Sequence, residues 1–102
     1  MDRLALLTEI LATNPDDSFA RYGLAMEYSK AGQIDEAIQE FKTLIEKNPD
    51  YTPAYFMAAQ ALANASRIDE AKRWRVDGIS SARRTNNTHA QSEMTAMLEE
   101  LT

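Results

Sequence analysis

Apolar residues return along this chain at three- and four-residue intervals, interrupted at regular places by turn-forming residues. Leu4, Leu7, Ile10 and Leu11 make a first stripe, and Asn14-Pro15-Asp16 follows it. A second runs from Phe19 through Tyr22, Leu24, Ala25, Met26 and Tyr28 to Gly32, and a third through Ala37, Ile38, Phe41, Leu44 and Ile45 to Asn48-Pro49-Asp50. Tyr55, Phe56, Met57, Ala59 and Leu62 form a fourth, and Ala71, Trp74, Gly78, Ile79 and Ala82 a fifth. Ala90, Met94, Met97, Leu98 and Leu101 close the series, backed by Glu93, Glu99 and Glu100. Such spacing gathers the apolar side chains on one face of a helix, so the chain is expected to be all-α with about six helices.

The interruptions are chemically suited to helix ends. Proline steers the residue before it away from the helical region, which puts Asn14 and Asn48 outside the helices they follow. Asp16, Asp17 and Ser18 offer side-chain oxygens to the free amides of the next helix. Pro53 falls in a first turn, where no donor is needed. Gly32 can take the left-handed conformation that ends a helix. Asp35-Glu36 and Asp69-Glu70 open helices, where the dipole favours negative charge.

The same words recur at a fixed distance. Asn14-Pro15-Asp16 returns as Asn48-Pro49-Asp50, and Gln33-Ile34-Asp35-Glu36-Ala37 as Arg67-Ile68-Asp69-Glu70-Ala71, both shifted by 34 residues. Ala20 becomes Ala54 and Tyr22 becomes Phe56 in the same register. A period of this size signals stacked two-helix units that bury their apolar faces against their neighbours. One domain over 1–102 is therefore expected: an N-terminal capping helix over 3–13, repeats over 17–50 and 51–84, and a C-terminal capping helix over 88–101.

With that register, the chain resembles the tetratricopeptide repeat family across about residues 3–101. Leu24, Ala25, Tyr28, Gly32, Ala37, Phe41, Leu44 and Pro49 stand at positions matching the family's 34-residue pattern. The resemblance implies a right-handed α-α superhelix of antiparallel helix pairs, whose first helices line a concave surface that binds other proteins. Four positions depart from the pattern. Arg21 replaces an aromatic whose bulk Phe19 and Tyr22 are expected to supply. Ser66 stands where Gly32 does, at a strain cost of about 1 kcal/mol if it turns left-handed. Arg75 takes the place of Phe41, beside Trp74. Arg83 takes the place of Pro49, which lets the helix from Ile68 run on to about Arg84. The family's well-known carboxylate clamp of Lys, Asn and Arg is also missing, since the matching positions hold Tyr22, Met26 and Met57.

Composition narrows the function. The chain has 102 residues with 16 acidic and 11 basic side chains, a net charge of −5, and no cysteine. Nucleic acid is a poor match for an acidic chain, although Arg67, Lys72, Arg73, Arg75, Arg83 and Arg84 cluster late in it. Asp69, Glu70 and Asp77 interleave with that cluster, as on an ordinary solvated helix face. No stretch offers the roughly 20 mostly apolar residues of a membrane span. No secretion signal is read at Met1-Asp2-Arg3-Leu4, so a cytoplasmic location is expected. No cofactor, metal set, phosphate loop or nucleophile elbow is apparent, and the single histidine, His89, sits in a segment rich in Thr, Asn and Gln. The chain is expected not to be an enzyme.

In the implied geometry the concave face carries Phe19, Tyr22, Met26 and Lys30 from the first repeat and Phe56, Gln60 and Asn64 from the second. Aromatics and methionine give adaptable contact area, and the amides can hydrogen-bond a peptide backbone. The alternative for Phe19, Tyr22 and Phe56 is a packing role between helices. The expected function is an adaptor that binds a segment of an unidentified partner protein. Its rival is a structural protein that self-associates into a homodimer through Met94, Met97, Leu98 and Leu101.

Overall fold

The structure, a computed structural model, describes residues 2–86, and beyond them Thr95, Ala96 and Glu99, which are helical. Five complete helices are defined: α1 (Arg3–Thr13), α2 (Ser18–Lys30), α3 (Ile34–Lys47), α4 (Thr52–Asn64) and α5 (Ile68–Arg84). There is no strand among the described residues. Of the helix expected over 88–101 only Thr95, Ala96 and Glu99 are described, and His89 and the proposed dimer residues Met94, Met97, Leu98 and Leu101 lie outside the described residues. The chain divides between Asn48 and Pro49 into two compact units.

In the first unit α1 packs on α2 and α2 on α3. Leu7, Leu11, Ala20 and Leu24 form a buried cluster with Leu4, Ile10 and Tyr28 against it. Ala37, Ile38, Phe41 and Leu44 bury the inner face of α3. The first two helices start where an aspartate can satisfy an open amide, whereas Gln33 precedes α3 without a side-chain cap bond. Asp2 accepts from Ala5 N at 2.8 Å, and Asp17 accepts from Ala20 N at 3.0 Å. Asp16, the other carboxylate offered as a cap, instead meets Lys47 Nζ at 2.9 Å and ties the start of α2 to the end of α3. That hydrogen bond and the charge of Lys47 hold the Asp16 carboxyl below its ordinary range.

In the second unit α4 and α5 make one antiparallel hairpin. Thr52 Oγ1 and Ser81 Oγ lie 2.9 Å apart in a buried hydrogen bond, and Arg84 Nε donates to Asp50 Oδ1 at 2.8 Å. Tyr51 caps α4 without a side-chain bond, and Pro53 sits in the first turn. The helix α5 continues through Arg83, where a proline would have stopped it.

The first-to-second helix turn is the same in both units. Gln33 N donates to Tyr28 O at 2.9 Å around Gly32 at φ 79°. Thirty-four positions later, Arg67 N donates to Leu62 O at 2.9 Å around Ser66 at φ 64°. Six-residue closure of this kind satisfies late helix carbonyls and needs a left-handed residue. Serine adopts it here despite its Cβ.

Arg21 departs from expectation in an informative way. Neither neighbour supplies the missing aromatic bulk: Phe19 is 74% exposed, and Tyr22 packs edge-on against Phe41 at 6.3 Å. Arg21 does the work itself, donating to Glu40 Oε1 at 2.7 Å and to Pro15 O at 3.0 Å. In the second unit the equivalent residues are Tyr55 and Trp74, with ring centroids 6.0 Å apart, and Tyr55 Oη donates to Pro49 O at 2.6 Å. Burial pushes the Tyr55 hydroxyl above its ordinary pKa, against the opposing pull of Arg84.

Arg75 is corrected too. It is only 3% exposed, so it does not belong to the solvated basic helix face read from the sequence. Of the other basic residues there, Arg67 pairs with Glu70 at 2.9 Å and Arg84 with Asp50.

Candidate functional site

The regular stripe of α2 produces a groove in the first unit. Residues 19, 22, 23, 26, 27 and 30 recur at helical spacing on one flank of the helix. Phe19, Tyr22, Gly23, Met26, Glu27 and Lys30 line the groove there, and Arg3 reaches in from the start of α1. Its volume is about 400 Å³, within the range of sites that seat side chains or small ligands.

Gly23 makes this flank possible. A Cβ built on it would meet Leu7 Cδ2 at 3.3 Å, so the glycine lets α1 approach α2 closely. Glycine in a helix interior costs up to about 1 kcal/mol relative to alanine, offset here by the burial of Leu7 and Leu11. The antiparallel course of α1 and α2 then brings Arg3 Nε to 2.8 Å from Glu27 Oε1. Lys30 Nζ stands 3.8 Å from the same oxygen.

The structure therefore brings together four of the sequence candidates, Phe19, Tyr22, Met26 and Lys30, around one opening. Tyr22 combines the two roles considered for it, lining the groove while packing against Phe41. Phe56, Gln60 and Asn64 lie on α4 in the other unit, each 34 positions after Tyr22, Met26 and Lys30. Phe56 is half-buried, and Gln60 Nε2 donates to Asn64 Oδ1 at 3.1 Å. Arg3 and Glu27 were not candidates. Arg3 lies in a different helix, and only the antiparallel packing of α1 on α2 brings it to this flank. Glu27 lies one position from Met26 and reads in sequence as an ordinary exposed acid.

Among the described residues, no group of three His, Cys, Asp or Glu is arranged to hold a metal ion, and no helix is long and apolar enough to cross a membrane. The chemistry of the groove is contact and charge: aromatic and thioether surface with an ion-paired end.

Two-helix units repeated at 34 residues, each turned through a left-handed residue and anchored to an Asn-Pro carbonyl, define a helical-repeat protein. The family comparison is specific: the tetratricopeptide repeat family model matches residues 4–50 and, overlapping, 28–74. The chain belongs to the tetratricopeptide repeat family. A TPR repeat-containing protein of Pseudomonas aeruginosa is 26% identical over 95 residues, covering 93% of this chain and 90% of the relative. The solution structure of a tetratricopeptide repeat domain protein from Salinibacter ruber is similar at 30% identity and a TM-score of 0.78, covering 86% of this chain and 89% of that one. The TPR2B domain of yeast Sti1, solved as a pHsp70 complex, shares the fold with a TM-score of 0.86 at 21% identity, covering 96% of this chain and 78% of that one.

Proposed function

We propose that this chain is a non-catalytic adaptor whose α2 flank binds a segment of a partner protein. The carrying observation is the groove of Phe19, Tyr22, Met26 and Lys30, with Phe19 left 74% exposed beside it. A large aromatic held out in water on a rigid helix gives contact area with little side-chain entropy to lose. The family membership supports an interaction role, and the Sti1 domain is a structural neighbour solved with a bound partner. The same register on α4 offers Phe56, Gln60 and Asn64, an aromatic with two amides suited to backbone hydrogen bonds. The expected affinity is micromolar, about −8 kcal/mol.

Affinity purification from native extract, comparing the unaltered chain with Phe19→Glu, tests the reading. Phe19 is exposed, so the variant should retain its helical circular dichroism and melting temperature. The expected outcome is loss of one or more specific partners. An unchanged set of partners from a folded variant removes the α2 flank as the binding surface.

A further inference from the structure

The groove is lopsided. Toward the start of α2 its surface is Phe19, Tyr22 and Met26, and toward the end it is Arg3, Glu27 and Lys30. At that end two cations share one carboxylate oxygen, at 2.8 and 3.8 Å. The Arg3 and Lys30 side chains remain 66% and 71% exposed. This excess of positive charge stands out against its surroundings, because residues 1–51 carry 10 acidic and 5 basic side chains. Of those five basic residues, Arg21 and Lys47 are engaged with Glu40 and Asp16 in holding α2 to α3. Arg3 and Lys30 both stand at the groove.

We propose that the occupant is a partner segment carrying a large apolar side chain and an acidic one, the first seated on Phe19 and Tyr22 and the second between Arg3 and Lys30. The inference rests on the adaptor reading and adds the chemistry of the partner. Glu27 holds the two cations near each other before binding, and the incoming carboxylate balances the charge at two against two. An anion there also gains from the guanidinium's charge-assisted donors. Tyr22 and Lys30 are eight positions apart, so their levels on α2 differ by about 12 Å. An extended segment covers that distance in about four residues. The recognised pattern is therefore an apolar anchor with Asp or Glu about four positions away.

Selection of a randomised peptide-display library on the full chain tests this, run in parallel on Arg3→Glu/Lys30→Glu and on Phe19→Glu. The expected result is enrichment of peptides with a large apolar residue and an acid at that spacing. Replacing the acid of a selected peptide by its amide should weaken binding about tenfold at low salt and less at high salt. The double charge reversal should select Lys or Arg at the same place. Peptides that depend on Phe19 but show no acidic preference, or keep it on the reversed variant, overturn the charge assignment and leave the adaptor reading standing. Enriched peptides indifferent to Phe19→Glu, or no enrichment at all, overturn both.

Discussion

The two hairpins solve one structural problem with different chemistry. In each, a side chain from the first helix must fill the space beside the second helix and satisfy the carbonyl of the preceding proline. In α2 and α3 an ion pair does this, Arg21 with Glu40, and the guanidinium also reaches Pro15 O. In α4 and α5 an aromatic pair does it, Tyr55 with Trp74, and the phenol reaches Pro49 O. The shared requirement is a long side chain with a donor at its tip, and a ring is one way of meeting it. What differs is how the stability is stored. Partly exposed ion pairs contribute modestly, whereas a buried aromatic pair removes a large apolar area from water and adds a specific ring contact.

That contrast sets the largest expected effect. Trp74→Ala should cost about 3–5 kcal/mol through lost burial and the cavity left behind. Glu40→Ala, at the same register, should cost about 1–2 kcal/mol through the stranded guanidinium. Urea unfolding of the two variants measures both, and equal losses would break the contrast.

A smaller difference lies in the turns. Gly32 and Ser66 both have positive φ, but only serine carries a Cβ into that region. Ser66→Gly should therefore stabilise the chain by about 0.5–1 kcal/mol, the relieved strain exceeding the added freedom of the unfolded glycine. Gly32→Ala should destabilise by about 1 kcal/mol. Thermal melts of the pair check the opposite signs.

The smallest effect is one of pH. The Tyr55 hydroxyl is raised above its ordinary value near 10, so the folded state favours the neutral phenol. This stability is fully present below about pH 10 and is lost as pH rises through the folded-state pKa. The unaltered chain should lose stability more steeply above about pH 10 than Tyr55→Phe, a comparison available from urea midpoints across that range.

The helices were legible because their apolar spacing, their Asn-Pro breaks and the 34-residue register agree. The end of α5 at Arg84 followed from the arginine standing where proline would be. Tertiary substitutions were harder to read. Arg21 and Tyr55 share no chemistry that a pattern of bulky and small positions would equate, and their common partner is a backbone carbonyl, which has no letter in a sequence. Arg75 misled for the opposite reason, since a charge among charges suggests solvent and its burial is set by packing. The four α2 groove residues were legible as a helical stripe. Arg3 was not, because its place beside Glu27 depends on how closely two helices approach.

That closeness is governed by Gly23, whose missing methyl leaves Leu7 room. The residue thus acts as a spacer gauge: one added carbon would press on the Leu7 methyls, which would have to give by a few tenths of an ångström. The close fit of α1 on α2 beside the basic and aromatic ends is in this sense a tolerance set at a single helical position, which itself lies in the wall of the groove.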